Sequence, residues 1–152
     1  SMKGVMLLLA LVGFGTGAPM KAHTSVPAYA APRIIVLYGG VLKEPVYLTD
    51  WWENLDFMLA VSEPAVGPLA VQSDSTPHIE VAMYWNGPTW EPYVKDTMKL
   101  RTLDPKDAHR GRLYLGRADR QPFLAYPGAP VVRGIAAKGV KILAKYHVPI
   151  TS

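Results

Sequence analysis

A chain of 152 residues with 49% apolar and 18% charged side chains is long enough for one domain with its own core and too apolar for global disorder. It has no cysteine, which excludes disulfides, thiolate catalysis and cysteine-ligated metals, and its 14 prolines and 13 glycines exclude a long-helix bundle in favour of short elements and many turns. The net charge of +4 is uneven: residues 1–94 carry four Lys or Arg against eight acids, and residues 95–152 carry twelve against four.

Met2 and Lys3 precede an apolar run from Gly4 to Phe14, too short for a transmembrane helix of about 20 residues. Two readings stand. In the first, residues 1–30 are a secretory leader, with Ala28-Tyr29-Ala30 before Ala31 as a small-x-small cleavage site, and the protein is secreted or periplasmic. In the second, Val5–Val12 is a buried strand and the protein need not leave the cytoplasm. Gly13-Phe14-Gly15-Thr16-Gly17-Ala18 then fits the Gly-x-Gly-x-x-Gly/Ala pattern that brings backbone close to a pyrophosphate. Pro27 stops the following helix early, and the next strand ends without the acid that holds a ribose, so the glycines read as an ordinary turn and no cofactor is assigned. Residues 31–152 read as a single domain.

Arg33–Tyr38 is a β-branched run closed by Gly39-Gly40, hence a central strand, and Val46-Tyr47-Leu48 is a short one beside Pro45. Asp50 and Glu53 form a capping arrangement that opens a helix over 51–62, with Glu63-Pro64 as its stop. Trp51 and Trp52 could form a stacking platform for a sugar or base, but adjacent helical residues lie about 100° apart, so the expectation is that one ring fills the core and the other covers its margin. The proline-interrupted stretch 63–77 reads mostly as loop around Leu69–Gln72.

The strongest strand is Pro77–Trp85. Ile79, Val81, Met83 and Trp85 alternate with His78, Glu80, Ala82 and Tyr84, the period of a half-buried strand. The first set reads as a buried row. The second aligns an imidazole, a carboxylate and a phenol on one face. Asn86-Gly87 marks a reversal, but Pro88 has no N–H to close a two-residue turn, so the spacing predicts an irregular connection with Trp90–Val94 as an edge strand or loop. Tyr84, Trp85, Trp90 and Tyr93 would crowd that end of the sheet as a contact surface.

In the basic part, Asp104-Pro105 starts a short helix near 105–109, and Leu113–Leu115 and Phe123–Tyr126 are strands flanking a loop. Arg110, Arg112, Arg117 and Arg120 fall within eleven positions, and guanidinium forks suit carboxylate or phosphate. Ile135–Tyr146 is an amphipathic helix with Lys138, Lys141 and Lys145 on its outer stripe. The charge asymmetry means either a basic face for an anionic partner or two halves that neutralise each other. Few aromatics interleave the lysines and no nucleic-acid motif is present, which disfavours nucleic acid.

The pattern implies an α+β fold: a mainly antiparallel or mixed sheet of about five or six short strands with two main helices on it. No Gly-x-Ser-x-Gly elbow, Walker loop or His-Glu-x-x-His occurs, and His23, His78, His109 and His147 are too scattered to propose a metal site. Two functions follow. One is a small binding or interaction module, open to homo-oligomerisation, that uses Tyr84, Trp85, Trp90, Tyr93 and the arginine loop for an anionic or aromatic-stacking ligand. The other is an enzyme with His78 and Glu80 as an acid–base pair and the arginines as an anion clamp.

Overall fold

The computed structural model describes residues 27–61, 63–64, 76–128 and 132–151. Val5–Val12, Gly13–Ala18 and Leu69–Gln72, with the expectations attached to them, lie outside the described residues. The chain divides between Ala30 and Ala31 into two units. In the first, Ala28–Ala30 form a 3-10 turn, with the Ala30 amide donating to the Pro27 carbonyl. All that follows concerns the second.

Its described residues form an α+β domain whose strands make one antiparallel sheet. The strands are β1 (Ile34–Tyr38), β2 (Val46–Leu48), β3 (Glu63–Pro64), β4 (His78–Tyr84), β5 (His109–Tyr114), β6 (Phe123–Ala125) and β7 (Arg133–Gly134). Their spatial order is β2-β1-β4-β5-β6-β7-β3. Two rungs were not expected from sequence: Glu63–Pro64 and Arg133–Gly134 pair with each other. Each is two residues long, too short to carry a periodic signal, and Pro64 is tolerated because β3 is the edge strand. The helices are α1 (Trp51–Ala60), α2 (Gly87–Val94), α3 (Thr97–Leu100) and α4 (Ala137–Lys145). None among the described residues is long and apolar enough to cross a membrane.

β4 lies between β1 and β5. Its Ile79, Val81 and Met83 are at most 1% exposed and join Ile35, Leu37, Leu113 and Leu124 in the main core. Trp85, just past the strand, packs on the same core but is only partly buried. Phe57 and Val61 of the α1 segment and Leu143 of α4 cover this face. Asp50 caps α1, its carboxylate accepting from the Trp52 and Glu53 amides. Asn54, fully buried, donates through Nδ2 to the carbonyls of Pro32, Arg33 and Leu48, which ties α1 to the starts of β1 and α1's own entry. Lys138 pairs with Asp56 at 3.1 Å, and Lys145 and the Tyr146 hydroxyl bond Glu53. Two lysines of the outer stripe therefore neutralise α1 acids.

On the opposite face Ile34, Val36, Ala82 and Tyr84 form a second, smaller core with Leu100, under α2 and α3. Here the expected edge strand or loop at Trp90–Val94 is corrected: Gly87–Val94 is helical. Pro88 sits in its first turn, where an N–H would have no partner, so the residue that spoils a hairpin suits a helix start. The helix is held from outside. Arg33 Nε donates to Glu91 at 2.7 Å, and that hydrogen bond keeps the Glu91 carboxyl below its usual range. The expected helix at 105–109 is a single 3-10 turn, Pro105–Asp107, capped by Asp104, whose carboxylate accepts from the Lys106 amide.

Candidate functional site

The register of three strands assembles the polar part of the second face. β1 and β5 flank β4 so that Tyr38, Glu80 and Arg112 form one cross-strand row, continued by Ala125 of β6. The adjoining rows are Val36, Ala82 and Arg110 on one side and His78, Tyr114 and Phe123 on the other. Residues opposite one another in an antiparallel pair have Cα atoms about 4.5–5.5 Å apart, so each row brings its side chains into contact.

Glu80 is the centre. Its Oε2 accepts from His78 Nε2 at 3.0 Å, from Arg112 Nε at 3.1 Å and from Arg112 Nη2 at 2.9 Å. The other ring nitrogen of His78, Nδ1, lies 2.6 Å from the Thr76 carbonyl oxygen. Both nitrogens thus lie within hydrogen-bond distance of an oxygen, which fixes the orientation of the ring. The start of β4 is located by the turn that follows β1, Gly39-Gly40. Gly40, at φ +57°, brings its backbone so close that a Cβ there would sit 1.9 Å from the His78 carbonyl oxygen. That carbonyl also accepts from the Val41 amide at 3.0 Å.

Beside this cluster is an open recess of about 480 Å³ lined by Glu80, Arg110, Arg112, Tyr114 and Tyr126, with Gly111 in its wall. β6 ends at Ala125, opposite Arg112, so β5 runs on past it and the chain turns away through Tyr126 and Pro127. The absent side chain at Gly111 is what lets the Tyr126 ring lie against the strand, at 3.2 Å from the position of a Cβ. Burial pushes the Tyr126 phenol up from its ordinary value, and its hydroxyl contacts Met83 Sδ at 3.9 Å. Arg110 is exposed and has no ion pair among the described residues.

The candidate arginines therefore separate. Arg110 and Arg112 meet at the recess. Arg117 and Arg120 line a different depression of about 330 Å³ with Asp119, Gln121 and Thr151. Arg117 lies 3.5 Å from Asp119 in the open. Arg120 is buried, its guanidinium 5.1 Å from the centre of the Phe123 ring and donating to the Leu115 carbonyl, while its Nε has no hydrogen-bond partner among the described residues. The candidate aromatics separate too. Tyr84, Trp90 and Tyr93 pack on one another, with ring centroids 4.8 and 5.6 Å apart, in the second core, whereas Trp85 packs on the main core across the sheet. They do not line one pocket. The Tyr84 hydroxyl donates to the Asp104 carbonyl at 3.0 Å, and burial, aided by the Asp107 carboxylate, raises its pKa to about 12.

Tyr114, Tyr126 and Gly111 were not singled out from sequence. Tyr126 follows a strand end; its ring packs on the main core beside Met83 and His109, and the length mismatch between β5 and β6 leaves it at the rim of the recess. Among the described residues no group of three or more His, Asp or Glu side chains is placed to hold a metal ion. Compared with protein-family models, curated proteins and solved structures, the chain matches none.

Proposed function

We propose that this protein is a binding module whose polar sheet face takes a small anionic ligand in the recess beside Glu80, with Arg110 as the group that meets the anion. The observation that carries the reading is the convergence of Arg110 and Arg112, with two tyrosines, on one cavity of about 480 Å³. That lies within the about 300–1,000 Å³ typical of small-molecule sites. Glu80 orients Arg112 through two contacts to one oxygen, so part of the cationic surface is already fixed and little ordering is left to the ligand. Two guanidinium groups against one carboxylate leave a cationic excess, and planar forks match carboxylate or phosphate oxygens.

The alternative, an enzyme with His78 and Glu80 as an acid–base pair, draws support from their 3.0 Å contact. Two features weigh against it. His78 is 8% exposed and directs its Nε2 at Glu80. The Glu80 oxygen that would move a proton already accepts from both His78 and Arg112. With both groups engaged, the arrangement supports orientation of Arg112 better than proton transfer.

Titrating inorganic phosphate into the protein by calorimetry, at low and at high ionic strength, tests the binding reading. Arg110→Ala is expected to weaken binding about tenfold, and added salt should weaken the wild type. Wild-type affinity in Arg110→Ala sinks the reading.

A further inference from the structure

Building on that anion site, we infer that the ligand carries an aromatic ring beside its anionic group, and that the ring enters a tyrosine-walled slot adjoining the recess. The slot has a volume of about 180 Å³. Val36 and Ala82 form its floor on the sheet, Tyr38, Tyr47 and Tyr84 its walls, and Leu103 faces them from the connection after α3. It falls below the about 300 Å³ at which small-molecule sites begin, so it serves as a subsite rather than a site. Its lining chemistry is flat and apolar. The Tyr84 hydroxyl is already given to the Asp104 carbonyl, and tyrosine faces and edges suit a ring better than a flexible chain.

What links the slot to the recess is register. Ala82 in the slot floor is the pairing partner of Arg110 in the recess, and Tyr38 in the slot wall is the partner of Glu80. All four residues lie on the same sheet face, and opposed Cα atoms in such pairs are about 5 Å apart. Ala82 itself is 0% exposed, so a ring lies above it between Tyr38 and Tyr47, and an anionic group carried beside that ring is directed along the Ala82 row toward Arg110. Ala82 underlies the slot from within the second core, so a larger side chain there would push up into it.

The test uses the whole chain, with inorganic phosphate and phenyl phosphate as probes and calorimetry as the readout. The wild type is expected to bind phenyl phosphate at least about tenfold more tightly than phosphate, the gain expected from burying an apolar ring. Tyr47→Ala, on the partly exposed edge strand β2, and Ala82→Val, which fills the floor, should both erase that preference and leave phosphate affinity unchanged. Arg110→Ala should weaken both probes. Equal affinities in the wild type, with Arg110→Ala still weakening both, overturn the slot and leave the anion site standing. A preference that persists in both Tyr47→Ala and Ala82→Val also overturns it. If Arg110→Ala weakens neither probe, the anion site itself fails and this inference with it. If Arg101→Ala, at the slot rim, abolishes phenyl phosphate binding while Arg110→Ala does not, the anion lies over the slot and the two-part ligand is ruled out.

Discussion

On one face of the sheet Ile79, Val81, Met83 and Leu113 are at most 1% exposed beneath α1 and α4, while on the other their chain neighbours Glu80 and Arg112 each leave 29% of the side chain open to solvent. The two faces resolve the charge asymmetry of the chain in different ways. Under α1 and α4, Asp56 and Glu53 meet Lys138 and Lys145, exposed pairs of the kind that contribute little to stability. On the polar face Glu80 meets Arg112 half-buried, and Arg110 lines the same recess without an ion pair among the described residues. Acidic and basic parts of the chain do complement each other, as three pairs across that division attest. Arg110, one of the cations outside those pairs, lies where there is a cavity. One face therefore holds the fold, and the other has room for a function.

The sharpest way to break this comparison is to substitute two adjacent residues of β5. Leu113→Ala removes a fully buried side chain from the main core and is expected to cost about 3 kcal/mol in urea unfolding, since the sheet cannot collapse onto the gap. Arg112→Ala, one residue away, leaves Glu80 with His78 and with access to water, and should cost about 1 kcal/mol. Equal losses would show that the polar face is as structural as the apolar one.

Much of the apolar face was legible because its signal is local. Ile79, Val81 and Met83 alternate within one strand, and Asp50 caps the amides two and three residues after it. Glu80 as a candidate was legible for the same reason. Its partner was not, because Arg112 reaches it only through a strand register spanning 32 residues. The helix at Gly87–Val94 was misread on similar grounds: local rules made Pro88 a broken hairpin, and the contact that holds the helix, Arg33 to Glu91, spans 58 residues. In the sequence Arg120 is one of four clustered arginines suited to an anion. Its burial against Phe123 depends on the Arg117–Arg120 hairpin folding back on the sheet.

A second test uses the phenols, one for each face. Tyr84, under α2 and α3, and Tyr146, after α4, both have pKa values raised to about 12 from an ordinary 10, by burial first and then by Asp107 for Tyr84 and by the Glu53 hydrogen bond for Tyr146. Each folded-state phenol keeps its proton above the pH at which the unfolded chain loses it. The stabilisation is therefore complete below pH 10 and is lost as the pH rises from about 10 to about 12, by up to about 2–3 kcal/mol for the buried Tyr84 and by less for the half-buried Tyr146, which solvent screens. Tyr84→Phe and Tyr146→Phe should each flatten the fall of melting temperature across that window. If Tyr84→Phe leaves the slope unchanged, the second core is wetter than its packing indicates, and the polar face is open along its whole length.

The smallest expected effect sharpens the comparison from the structural side. α4 ends in a reversal in which the His147 amide donates to the Ala144 carbonyl and the Val148 amide to the Leu143 carbonyl. This pattern normally places glycine where His147 stands. His147 adopts φ +59°, the one positive φ outside glycine among the described residues, and a side chain there strains against its own backbone. His147→Gly should relieve that strain and raise stability by about 1 kcal/mol, read as an increase in urea midpoint at constant slope. The proposed anion site lies on the other face, so the same variant should bind phosphate as the wild type does. A stabilised variant with altered phosphate affinity would mean that the helix packed on one face sets the geometry of Arg110 and Arg112 on the other, and that the sheet transmits between its faces.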